Sequence, residues 1–154
     1  MYLYRIAKTK YIRDLLGEGA RRAGGRWNKQ NTAVLYTADS TALATLESLV
    51  HSPLHIIPKH RSILTLDLPD NLGVEKIEAE QLPERWWDYP APKELAKLGE
   101  RWLKAKKTLA LSVPSAVTPQ GEGCNILLNP SHPDFSEIEI ASVSDFSYDL
   151  RLFS

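Results

Sequence analysis

Four residue types in this sequence stand where they could do chemistry together. Arg26 follows Gly24-Gly25 in the stretch Gly17-Glu-Gly-Ala-Arg-Arg-Ala-Gly-Gly-Arg-Trp-Asn28, which puts four glycines, three arginines and a tryptophan into twelve residues. Glycines expose backbone amides and allow close approach, and a guanidinium matches phosphate oxygens in pairs, so the stretch reads as a loop that can hold an anion. Tyr36 lies on the next apolar run, Glu47 on the helix after it, and Ser115 behind Pro114 at the end of a late apolar run. The set suits cleavage of the bond between ribose and nicotinamide in NAD. Positive charge then develops on the sugar while the pyridinium leaves as a neutral base. Such a leaving group needs no general acid, and one carboxylate against the oxocarbenium can suffice where ordinary glycoside hydrolysis needs two. The arginine would hold the pyrophosphate, and an aromatic ring would position the nicotinamide.

Each of these residues also has a plain structural reading. Glu47 alone could be a salt-bridged helix carboxylate, Tyr36 a core tyrosine, Ser115 a turn residue after proline, and the glycine stretch a solvated loop. Other chemistries fit less well. The glycines miss the Gly-x-Gly-x-x-Gly spacing, no buried strand leads directly into them, and no Gly-Lys-Ser/Thr phosphate loop occurs. His51 and His55 are four apart, but Pro53 between them prevents a shared helix face, so no metal site is expected. Cys124 beside Ile-Leu-Leu reads as a packing residue rather than as a nucleophile with His132, and Trp86, Trp87 and Trp102 read as packing residues. No cofactor is expected, NAD being the substrate.

The elements that must position these groups follow from periodicity and punctuation. Alternation predicts a strand over Tyr2 to Ile6, and β-branched and aromatic content predicts one over Ala33 to Thr37. Tyr11 to Leu16 suggests a short helix ended by Gly17. Asp39 or Ser40 caps a helix running to about His51, with an apolar stripe Leu43, Leu46, Val50, a polar face Thr41, Thr45, Ser48, and Glu47 turned toward the core side. Ser62 to Leu68 alternates as a strand, Pro69-Asp-Asn71 is a turn, and Val74 to Ile77 is a short strand. Pro83 to Pro90 is an aromatic loop. Leu95, Leu98, Trp102 and Leu103 give helical spacing over Lys93 to Lys106, weakened by Gly99 by about 1 kcal/mol. Strands are expected at Leu109 to Val113, Asn125 to Asn129, Glu137 to Ala141 and Ser144 to Tyr148. Strands outnumber long helices and mostly follow one another directly, which predicts an α+β fold with a mainly antiparallel sheet.

With 154 residues, 43% of them hydrophobic and 25% charged, the chain has the balance of one globular domain spanning 1–154. One cysteine cannot form an internal disulfide, no apolar run reaches membrane-spanning length, and no apolar leader opens the sequence. A cytoplasmic location is expected. Nineteen basic and nineteen acidic residues give zero formal net charge, which argues against direct nucleic-acid binding and leaves self-association open.

Five segments carry a resemblance. Gly24-Gly-Arg-Trp-Asn28, Tyr36-Thr37, Leu46-Glu47 with Leu49-Val-His51, Val113-Pro-Ser-Ala-Val117 and Asn125-Ile-Leu-Leu-Asn-Pro-Ser-His-Pro-Asp-Phe135 resemble, in order, the RES domain, a family named for an arginine, a glutamate and a serine. Here these would be Arg26, Glu47 and Ser115. The resemblance implies an ADP-ribosyltransferase-like fold with a split sheet. It also implies a bacterial toxin that depletes NAD by hydrolysis or phosphorolysis, or that transfers ADP-ribose to a protein. The implied partner is an Xre-like helix-turn-helix antitoxin, with phosphate as a possible co-substrate; a homodimer is expected from the near-neutral charge. By the same resemblance Arg26 would contact phosphate, Tyr36 would orient the nicotinamide, Glu47 would stabilise the ribosyl cation, and Ser115 would line the pocket. Arg5, Asn28 and Asn125 would be further cofactor contacts. A non-catalytic module binding a partner through Trp86 to Pro90 is the alternative of another class.

Overall fold

Alternation sets the centre of the molecule. Ser62, Leu64, Leu66 and Leu68 are buried and the residues between them are only partly so, as a pleated strand with one covered face requires. The computed structural model describes residues 1–154. It runs β1 (Tyr2–Lys8), α1 (Glu18–Ala23), β2 (Leu35–Ala38), α2 (Thr41–Val50), β3 (Arg61–Asp67), β4 (Val74–Lys76), α3 (Lys93–Ala105), β5 (Ala110–Pro114), β6 (Cys124–Leu128) and β7 (Glu139–Phe146), with short 3-10 turns between. The strands form one sheet in the order β4-β5-β6-β2-β1-β3-β7. Only the β4/β5 pair is parallel. The fold is α+β with a mainly antiparallel sheet.

Two cores lie on opposite faces of β5 and β6. Ile126 and Leu128 join Leu3, Leu35, Leu64 and Leu66 in one, and Leu127 between them joins Trp27, Trp102, Leu111 and Val113 in the other. Covered on both faces, these strands read as nearly continuous apolar runs. Helix α3 supplies Leu95, Trp102 and Leu103 to the second core. Gly99 is buried on that same helix, and a Cβ there would collide with the Trp27 backbone, 2.8 Å from its carbonyl carbon. The glycine that weakens the helix is what lets α3 lie against the segment carrying Arg26 and Trp27.

Four expectations change. No helix covers Tyr11 to Leu16. A 3-10 turn occupies Thr9–Tyr11, and the Asp14 carboxylate accepts from Leu16 N at 3.0 Å, a local turn that competes with helix. Gly17 therefore ends nothing: with φ 68° it is the N-cap of α1, and its α-carbon faces the Val34 backbone. The glycine stretch accordingly holds a helix rather than an open loop. On α2 the buried residues are Leu43 and Ala44, while Leu46 and Val50 are exposed and Ser48 turns inward to bond Tyr148 Oη at 2.7 Å. The helix meets the sheet through Leu43 and Ala44, against Ala38, Tyr4 and Ile6, so the wider apolar stripe is not covered. The two last strands are one, β7, paired along its length to β3 with an irregularity between Thr65 and Leu66 that absorbs the break in pattern.

Candidate active site

The sheet is split where the candidate residues gather. β1 and β2 pair at one position, Tyr4 with Ala38. Beyond it they diverge, and a cleft of about 300 Å³ opens between Arg5 to Lys8 on one side and Tyr36 to Ala38 on the other. Helix α2 forms the third wall with Ala44, Glu47, Ser48 and His51. Glu47 is the one carboxylate among the lining residues.

Glu47 is fixed from both ends of its surroundings. Ser40 starts the helix by accepting from Leu43 N at 3.1 Å, which sets the turn on which position 47 faces the cleft. At the other end, Ser115 Oγ and Asn125 Nδ2 both donate to Glu47 Oε1, at 2.8 and 2.9 Å. Both bonds converge on one oxygen, which leaves Oε2 for the cleft. Ser115 is 1% exposed and also accepts from Val117 N at 3.2 Å. It therefore lies under the carboxylate and braces it, whereas the resemblance had it line the pocket. Asn125 does line the cleft, opposite Ala38 on β2. Its Oδ1 is buried and pairs with nothing in the protein, an acceptor that calls for a donor.

Tyr36 reaches the cleft from β2 and organises the turn behind it. Its hydroxyl accepts from Trp27 N at 3.1 Å and donates to Asn28 Oδ1 at 2.7 Å. Burial pushes the phenol up, against a smaller opposing effect of the Trp27 N–H. Asn28 is 1% exposed, and its amide nitrogen donates to the carbonyls of Ala20, Lys29 and Thr32 at 2.8, 3.2 and 3.0 Å. With all these bonds internal, Asn28 pins the turn and has no group left for a ligand.

The arginines of the glycine stretch divide. Arg21 and Arg22 bond Glu18 on α1 at 2.6 and 3.0 Å and hold its carboxyl down to about 2. Arg26 directs its fork to the aromatic segment: Nη1 donates to Trp86 O at 2.8 Å and Nη2 to Asp88 O at 3.1 Å. Burial lowers the affinity of Arg26 for its proton, with Glu47, Tyr36 and Asp88 acting in the opposite sense. Within that segment Trp86 is buried, while Trp87 and Tyr89 are exposed. Arg5 projects from β1 into the cleft wall, with Nη1 donating to Ile12 O at 3.2 Å; burial lowers its pKa and Asp14 partly offsets that.

The model of the RES domain matches residues 2–151. The chain belongs to the RES domain family. Its relatives include the "Prs ADP-ribosylating toxin" of Sphingobium sp. (strain YBL2), 36% identical over 95% of this chain and 91% of that protein. Two proteins named "Toxin Res" are similar over nearly their full lengths: that of Yersinia enterocolitica at 34% identity, covering 99% of each chain, and that of Pseudomonas putida at 37%, covering 99% and 100%. Among solved structures, a chain of the M. tuberculosis MbcT-MbcA toxin-antitoxin complex matches with a TM-score of 0.66 at 20% identity, over 95% of this chain and 84% of that one. That likeness concerns the fold.

In this RES domain the cleft brings together Arg5, Tyr36, Glu47 and Asn125, with Ser115 directly beneath. Arg26 and Asn28 stand one layer behind, in the turn that Tyr36 closes. Sequence reading missed the far wall of the cleft, where Lys8, His51 and Arg61 also face inward. The β1/β3 register sets Lys8 opposite Arg61 there, and His51 arrives as the C-cap of α2. No helix is long and apolar enough to cross a membrane.

Proposed function

We propose that this chain cleaves the bond between ribose and nicotinamide in NAD, in the cytoplasm, as the toxic half of a toxin–antitoxin pair. One observation carries the reading: a lone carboxylate faces a cleft and is held rigidly by Ser115 and Asn125. In the reaction the C1′–N bond breaks and its electron pair leaves with nicotinamide, which departs neutral. The sugar becomes an oxocarbenium, and Glu47 Oε2 faces the positive carbon or its neighbouring hydroxyl. A fixed carboxylate costs no reorganisation as that charge develops. The unpaired Asn125 Oδ1 accepts a ribose hydroxyl, and Tyr36 lends a ring face to the pyridine. Water, phosphate or a protein nucleophile then adds to C1′ and gives up its proton, leaving ADP-ribose, its phosphate ester or an ADP-ribosylated protein.

Transfer to a protein is the second reading, and the relative named as an ADP-ribosylating toxin supports it. An antitoxin partner accords with the names of the relatives and with the toxin-antitoxin complex that shares the fold; an Xre-like helix-turn-helix protein and a homodimer remain part of the same proposal. The test is to incubate the partner-free chain with NAD, with and without phosphate, and to identify products by mass spectrometry. Nicotinamide in both buffers is the expected result, and Glu47→Gln should lower its formation about 10² to 10³-fold while leaving the far-UV spectrum unchanged. Intact NAD in both buffers, or full turnover by the variant, would overturn the reading; label on a protein band with little free ADP-ribose would select the transferase.

A further inference from the structure

The far end of the cleft carries positive charge that the proposed chemistry does not use. Lys8 and Arg61 are cross-strand partners on β1 and β3, and both line the cleft. The ion pairs of the protein involve other residues, so no carboxylate neutralises either one. Like charges directly opposite on paired strands destabilise a sheet. An anion between them would reverse the sign of that interaction. Arg61 is steadied by a bond from Nη1 to Lys59 O at 3.0 Å. His51 arrives at this end as the C-cap of α2 and lines the cleft, where its ring can hydrogen-bond a ligand.

We propose that Lys8, Arg61 and His51 form the diphosphate subsite of the cleft. The inference rests on the dinucleotide reading of Glu47 and moves the phosphate contact from Arg26, whose fork is taken up by the carbonyls of Trp86 and Asp88. Position supports it. His51 lies four residues beyond Glu47, about 6 Å along the helix axis. A diphosphate one ribose away from the scissile bond falls at that end of the cleft. Lys8 and Arg61 could also attract free orthophosphate as an acceptor, so the two sources must be told apart.

Calorimetric titration of the full chain with inorganic pyrophosphate, ADP-ribose, orthophosphate and adenosine does so, using the parent, Lys8→Gln/Arg61→Gln and, as a control outside the cleft, Lys10→Gln. Pyrophosphate and ADP-ribose should bind the double variant about tenfold more weakly or worse, as the loss of charge-assisted bonds predicts. Adenosine should bind all three alike, and Lys10→Gln should match the parent. KM for NAD should rise by a similar factor in the double variant, and Lys8→Arg/Arg61→Lys should restore binding. The melting midpoint of the double variant should stay level or rise, because a like-charge pair is removed. ADP-ribose binding within about twofold of the parent would overturn the proposal, as would loss of orthophosphate binding alone. Pyrophosphate binding that depends on Lys8 and Arg61 in a chain that leaves NAD intact would support the anion subsite and remove the NAD reading instead.

Discussion

Glu47 and Tyr36 reach the same cleft with opposite degrees of freedom. Glu47 offers one oxygen to Ser115 and Asn125 and keeps the other for the cleft, while the Tyr36 hydroxyl is fully used between Trp27 N and Asn28 Oδ1. Tyr36 is therefore a structural tyrosine whose ring is available and whose hydroxyl is not. Tyr36→Phe leaves a buried donor and a buried acceptor unpaired, and should cost about 1–3 kcal/mol in urea unfolding near neutral pH. It should also change the alkaline limb. Burial raises the Tyr36 pKa above its usual 10.0, so the folded chain keeps the proton after the unfolded chain has lost it. The stabilisation is complete below about pH 10 and is lost as pH rises through the folded value. The parent should lose stability more steeply than Tyr36→Phe as pH rises above about 10; parallel slopes would contradict this.

At the scale of elements, the contact of α3 with the Arg26-Trp27 segment decides whether the turn behind the cleft is held. Intrinsic propensity favours Gly99→Ala by about 1 kcal/mol. Packing opposes it, because the added methyl meets the Trp27 backbone, and an overpacked contact of this kind costs about 1–3 kcal/mol. The collision should win: the variant is expected to melt lower than the parent and to lose NAD turnover as the Trp27 N–H moves off Tyr36. A higher melting midpoint with full turnover would show that the segment yields freely. A helix boundary is legible from caps and spacing, as Ser40 and the Leu95-Trp102-Leu103 pattern demonstrate. Why a helix tolerates a central glycine is not, because the reason lies on a segment some seventy residues earlier.

Over the whole molecule, a zero net charge conceals a cleft with three lysine and arginine side chains and one carboxylate along its walls. Raising salt from about 0.05 to about 0.5 M should raise KM for NAD several-fold with little effect on kcat, since the attraction between the cleft cations and the phosphates is screened over that range, while Glu47 is held in place by its bonds to Ser115 and Asn125. A salt-independent KM would place the phosphates elsewhere. The chain order alone determined the strand-rich α+β class, the capped helix bearing an inward glutamate, and the family with its arginine, glutamate and serine. These follow from local periodicity, caps and motif spacing, which are properties of neighbouring residues. Tertiary structure decided the rest: that β1 and β2 separate after Tyr4 and Ala38, that Ser115 lies beneath Glu47 rather than beside a ligand, and that Arg26 grips the aromatic segment. Tertiary structure likewise set Lys8 against Arg61, fifty-three positions away, because strand register is fixed by which faces the assembled core buries and by no signal within either strand.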